Sequence, residues 1–233
     1  MLTKNHETLA IEVKRHVEAD TILQGNYWDG SHGCFIGCLA HSDDASKLGE
    51  LYGLPLPLVR ICESIFEALP ADEAKAFFAA LPDAVGRDGK DLTRVHWAFL
   101  ASELRCLPEV DDGTQSVINT VIEGMDLLAS GGEWSRDAVR AAARTTARAA
   151  DAADAAYAAR AARAARAAHT TARAAYAAAD AAAYAARTAR AAADADADAA
   201  YAAAYATSDA ARADYDVARM RQRDTILRLI AEA

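Results

Sequence analysis

Between residues 3 and 130, apolar side chains recur at every third or fourth position in short bursts separated by proline, glycine and small polar residues. No window alternates apolar with polar as a half-buried strand does, so the pattern predicts an all-α chain. A first amphipathic helix is expected over Thr3–Glu18. Residues 24–41 are glycine-rich and form the least regular stretch. Ser42, Asp43 and Asp44 suit the cap and acidic first turn of a helix ending near Gly53. Leu54-Pro55-Leu56-Pro57 reads as extended, because a residue that precedes proline avoids the helical region. Helices are then expected over Leu58–Leu69, stopped by Pro70, and Asp72–Leu81, stopped by Pro82. Two more follow over Asp91–Leu107 and Thr114–Ser130, the latter closed by Gly131-Gly132.

Beyond Gly132 the pattern changes kind. Residues 133–233 contain no glycine and no proline, and 41 of the 66 positions from Ala141 to Ala206 are alanine. Alanine is the best helix former, and nothing in this stretch forces a turn. From Arg166 to Arg219 most of the other residues fall in steps of three and four, which places them on one stripe of a helix. The remaining alanine surface allows helix axes to approach to about 8 Å. A single rod of this length would measure about 150 Å. An array of three or four antiparallel helices is the expected solution, with breaks at Thr145-Thr146, His169-Thr170-Thr171 and Thr207-Ser208-Asp209. Residues 217–230 regain large apolar side chains (Met220, Ile226, Leu227, Ile230) and are expected to dock on the front of the molecule. Two domains are therefore expected: an acidic helical unit over 1–132 and an alanine-rich unit over 133–233.

Charge divides at the same boundary. The front carries 10 basic and 21 acidic residues, the remainder 15 arginines and 13 acids, within an overall net charge of −9. An acidic front repels the phosphate backbone, so nucleic acid is not an expected partner. It suits either a well-solvated surface or one that docks on a basic protein. The stripe offers a second protein-binding surface through Arg166, Arg173, Tyr176, Tyr184, Arg187, Tyr201 and Tyr205, since Arg and Tyr are enriched at binding hot spots. It also suits the wet side of an alanine-packed array. Threonine is too sparse for an ice-binding face. The Asp194-Ala-Asp-Ala-Asp198 run lacks the glycine and distal glutamate of a calcium loop. With no leader-like or 18-residue apolar run, a cytoplasmic chain is expected, making no use of a membrane. Homo-oligomerisation stays open, and no cofactor is expected.

Candidate chemistry gathers in Tyr27–Ser42. A helix beginning near Ser31 would bring Cys34, Cys38 and His41 to one face at i, i+4 and i+7. Three uses remain open. Cys34 could be a nucleophile whose thiolate is stabilised by the helix N-terminus, with His41 or His96 as base and Asp29 orienting a histidine. His32, Cys34, Cys38 and His41 could hold a metal, although the spacing matches no standard zinc motif. Both cysteines could instead be small core residues beneath a tight Gly33-x-x-x-Gly37 contact. Cys62 and Cys106 read as core.

The residues Gln24-Gly25-Asn26-Tyr27-Trp28, Gly33-Cys34-Phe35-Ile36-Gly37-Cys38-Leu39-Ala40-His41-Ser42, Leu54-Pro55 and Ile65–Pro70 resemble a group of uncharacterised proteins of bacteria and their phages. In that group a GCxxGCxxHS-like segment is likewise joined to an alanine-rich helical tail. The resemblance implies a phage or prophage accessory protein that binds a host or defence protein. A looser similarity of the Arg/Ala/Tyr helices to toxin-immunity proteins points the same way, toward a non-enzymatic inhibitor. The alternative from the residues is a thiol-dependent enzyme using Cys34 and His41.

Overall fold

The computed structural model describes residues 1–108, 112–135, 137–142, 144 and 208–233. The expected antiparallel alanine-rich array lies outside these residues. Among the described residues every regular element is helical, and the only β pairing consists of isolated bridges, Leu2 with Asp91 and Gly33 with both Ile22 and Trp28. The helices are α1 (His6–Glu18), α2 (Phe35–Ala40), α3 (Lys47–Tyr52), α4 (Leu56–Ala68), α5 (Ala71–Val85), α6 (Val95–Arg105), α7 (Asp112–Ala129) and the closing helix α8 (Ser208–Glu232). The chain is all-α, as its periodicity predicts. No described helix is long and apolar enough to cross a membrane.

Helix starts depart from expectation where long-range hydrogen bonds outbid local propensity. Thr3 leaves α1 because it is claimed by the loop after α5. Its N–H donates to the Lys90 carbonyl (2.9 Å), its Oγ1 to the Arg87 carbonyl (2.8 Å), and it accepts from the Gly89 and Lys90 amides. The acidic cap of α3 sits earlier than its helix: Asp44 Oδ1 accepts from the Ser46 amide and hydroxyl, folding 42–46 into a turn. Gly53 ends α3 as expected, at φ 69. Only Leu54 and Pro55 are extended, and Pro57 enters the first turn of α4, where its missing N–H costs nothing. Pro82 does not stop α5. It lies in the last turn, its carbonyl accepts from His6 Nε2 and the Gly86 amide, and buried Ala84 and Val85 carry the helix on to Gly86.

The core is centred on an aromatic cluster. Phe35, the first residue of α2, packs against Phe66 of α4 and Phe77 and Phe78 of α5, with centroids 5.8–6.1 Å apart. Helix α5 touches α1, α4 and α8, while α2 bridges α1, α3 and α4. As its apolar residues suggest, α8 docks on the front. Ile226 and Ile230 are fully buried in the common core, and Met220 and Leu227 pack against its edge.

Polar contacts fix how α8 sits. Glu103 of α6 accepts from Arg221 Nη2 (3.1 Å) and Gln222 Nε2 (2.7 Å), and Glu73 of α5 pairs with Arg223. Buried Arg219 donates to Gln222 Oε1 and lies over the Tyr215 ring at 4.9 Å. At the far end Lys90 Nζ donates to the carbonyls of Ile230 (2.6 Å), Ala231 (2.8 Å) and Ala84 (3.2 Å), placing a cation where α8 leaves its carbonyls unpaired. Lys90→Met is expected to cost about 1–3 kcal/mol in urea unfolding, because it removes a charged donor from three acceptors.

Candidate functional site

The irregular segment before α2 is shaped by its glycines. Gly33 and Gly37 lie against the backbone of Tyr27, and a Cβ on Gly37 would sit 1.3 Å from the Tyr27 carbonyl oxygen. This is the tight small-residue contact expected of Gly33-x-x-x-Gly37, made against a loop instead of a helix. The Cys34 amide donates to the Asn26 carbonyl, and the Gly33 amide to that of Thr21, so the loop is sewn across the start of α2. Asp29 stabilises that loop. Its Oδ1 accepts from the amides of Ser31 and His32 and from the Ser31 hydroxyl, and those bonds hold its carboxyl down to about 2. His32 lies beside it in the exposed turn.

Helix α2 covers only Phe35–Ala40, so the expected i, i+4, i+7 convergence does not form. Cys34 stands at the cap position and Cys38 inside the helix, both buried. His41 takes a left-handed conformation at φ 47, which turns it out of the helical row toward α1. No hydrogen bond joins Cys34 to His41 or to His96 among the described residues. His96 is buried in α6, where burial lowers it to about 4. His32, Cys34, Cys38 and His41 are thus distributed among separate partners and do not come together as a set of metal ligands.

Cys34 instead donates from Sγ to Glu63 Oε1 (2.9 Å), while Glu63 Oε2 accepts from the Ile36 amide (3.0 Å). A carboxylate from α4 therefore caps α2, doing what the Cys34 side chain cannot. Burial, reinforced by the Glu63 charge, pushes the Cys34 thiol up to about 12; burial pushes Cys38 to about 12 as well. Both shifts run opposite to that of an activated thiolate. Cys62 is buried as expected, but Cys106, at the end of α6, is exposed. Mass-resolved iodoacetamide labelling of the native protein is therefore expected to modify Cys106 first, with Cys34, Cys38 and Cys62 reacting only on unfolding. Rapid labelling of Cys34 would restore the nucleophile.

Burial also raises Glu63 to about 7. A carboxyl raised in the folded state contributes stability that is fully present below its ordinary value of 4.5 and is lost as pH climbs through 7. Unfolding free energy should fall by at most about 3 kcal/mol across that window, and Glu63→Gln should flatten the decline.

His41 instead meets two residues of α1. Glu12 and His16 project one turn apart from α1, and their ligand atoms and that of His41 lie within 4.8 Å of one another. His16 Nε2 is 3.3 Å from His41 Nε2 and 3.9 Å from Glu12 Oε2, and His41 Nε2 is 3.6 Å from the same oxygen. Arg15 Nη2 reaches into the group, donating to His41 Nε2 at 2.8 Å. Trp28 stacks on the His41 ring (4.7 Å) and meets His16 edge-on (5.8 Å). Burial keeps His16 below its ordinary value. A Glu-x-x-x-His pair within the predicted first helix is the only sequence signal for this cluster.

The stripe residues Arg166, Arg173, Tyr176, Tyr184, Arg187, Tyr201 and Tyr205 lie outside the described residues. No protein-family model, curated protein or solved structure matches the chain.

Proposed function

We propose that the chain acts by binding another protein, as a non-enzymatic inhibitor of the anti-defence or immunity-like kind that its resemblance to phage accessory proteins implies. The observation that carries this proposal is the sign of its surface. Among the described residues of the front unit, 13 acidic side chains are exposed against six basic ones. Such a field attracts a basic protein and repels nucleic acid. The molecule already uses this complementarity internally, where Glu73 and Glu103 receive the arginines of α8. The thiol-dependent alternative draws no support from Cys34, whose partner is an acid and whose thiol stays protonated.

The test is affinity capture from bacterial lysate at graded salt. A partner recruited by charge should elute as salt screens the surface. It should also be lost from the triple variant Asp43→Lys, Glu50→Lys, Asp83→Lys, whose positions are all exposed. The double variant Arg173→Ala, Arg187→Ala separates the contribution of the stripe. Retention unaffected by salt and by both variants would exclude these surfaces.

A further inference from the structure

We infer that Glu12, His16 and His41 form a binding site for a first-row divalent cation of the zinc class, with the Arg15 guanidinium holding the site when no metal is present. The three ligand atoms form a triangle with edges of 3.3, 3.6 and 3.9 Å. The point equidistant from its corners lies about 2.1 Å from each, which matches zinc–imidazole and zinc–carboxylate bond lengths. Two histidines and one carboxylate suit a borderline cation and leave a coordination position open. Magnesium and calcium prefer all-oxygen sets.

The proton positions favour the same conclusion. Both Thr21 contacts are satisfied together when its hydroxyl donates to the His16 carbonyl (3.4 Å) and its oxygen accepts from His16 Nδ1–H at 2.7 Å. That contact selects the tautomer whose Nε2 is bare, the arrangement by which outer-shell partners orient ligating histidines. Arg15 is a donor only, so His41 Nε2 facing it at 2.8 Å is bare too. Two ring lone pairs therefore face each other at 3.3 Å beside a carboxylate. Glu12 Oε2 is buried, and although Arg15 Nη2 lies 2.6 Å away, the pair lacks hydrogen-bond alignment and leaves that oxygen without a hydrogen-bond partner. All three acceptors converge on the one Arg15 Nη2, which also lies 3.4 Å from His16 Nε2 and has only two protons to share among them, so the group calls for a cation. Arg15 supplies one from a side chain that is 54% exposed, so it can swing into solvent when a metal enters. His41 is held for the role by Trp28 and by a left-handed backbone, a conformation non-glycine residues adopt at a cost.

The experiment titrates the full chain, freed of metal, with Zn2+ by calorimetry and with Co2+ by its visible d–d absorption. One equivalent is expected to bind, with Co2+ bands of a low-symmetry nitrogen/oxygen site and a change in tryptophan emission from Trp28. His41→Asn, which removes the imidazole but tolerates the left-handed backbone, should weaken binding more than about 100-fold, and Thr21→Val by about tenfold. Arg15→Ala should tighten it by about tenfold by removing a competing positive charge. Cys34→Ser should leave it unchanged. Absence of stoichiometric binding overturns the site. So does binding that survives His41→Asn, fails in Cys34→Ser, or weakens in Arg15→Ala.

Discussion

Gly37→Ala is expected to cost about 4 kcal/mol or more, a large share of the total stability of a domain. One methyl group does this because of where it points. The added Cβ would sit 1.3 Å from the Tyr27 carbonyl oxygen and 2.4 Å from its carbon, and both are backbone atoms that no rotamer change can move aside. The Tyr27 loop must lift, taking with it the Asn26 carbonyl that receives the Cys34 amide and Trp28, which stacks on His41. It also frees Phe35 from its place among Phe66, Phe77 and Phe78. Gly30→Ala is the informative comparison. Gly30 sits at φ 103 with nothing within 4 Å of the added carbon, so only local strain of about 1–2 kcal/mol is expected there. Urea midpoints of the two variants compare close approach with backbone strain; equal losses would mean that contact with Tyr27 is not what fixes glycine at 37.

Ile226→Asp is expected to be comparably severe, at about 4 kcal/mol or more, and its damage should be localised first to α8. The side chain is fully buried, so an unpaired carboxylate there loses its hydration without gaining a partner. Because α8 also contacts α4, α5 and α6, its release uncovers the back of the core. Hydrogen exchange should show lost protection over 215–233 before α1 and α3 respond. Val217→Asp, at a position 67% exposed on the same helix, should change stability by less than about 0.5 kcal/mol. Uniform loss of protection throughout the front unit would mean that α8 and the front unfold as one cooperative body.

Helices were legible in the sequence where local chemistry decides them. The burst from Leu58 to Leu69, the stop at Gly131-Gly132 and the apolar return at Ile226 and Ile230 all signal through spacing and punctuation alone. Departures follow where distant atoms intervene, or where a local turn such as Asp44–Ser46 takes the place of the expected helix start. Thr3 is drawn out of α1 by a loop 84 to 87 residues away, and Pro82 stays inside α5 partly because His6 Nε2 donates to its carbonyl. The candidate site divides in the same manner. That Cys34 and Cys38 serve packing was one of the readings available from the two glycines around them. Their failure to meet His41 was not, because it depends on a single left-handed residue. The pairing of His41 with Glu12 and His16 is a tertiary event between helices separated by some 25 positions, and no local pattern encodes it.

The placement of α8 has a consequence for birth as well as for stability. The residues that complete the core, Ile226 and Ile230, follow Met125, the last core residue of α7, by about a hundred positions. At roughly 5–20 residues per second, a ribosome takes on the order of 5–20 s to cover that distance. For that interval the faces of α4, α5 and α6 that α8 later covers are made and uncovered, and the nascent chain is exposed to chaperones, proteases and neighbouring chains. The arginines of α8 meet a surface that has been waiting, acidic and apolar, through almost half of synthesis.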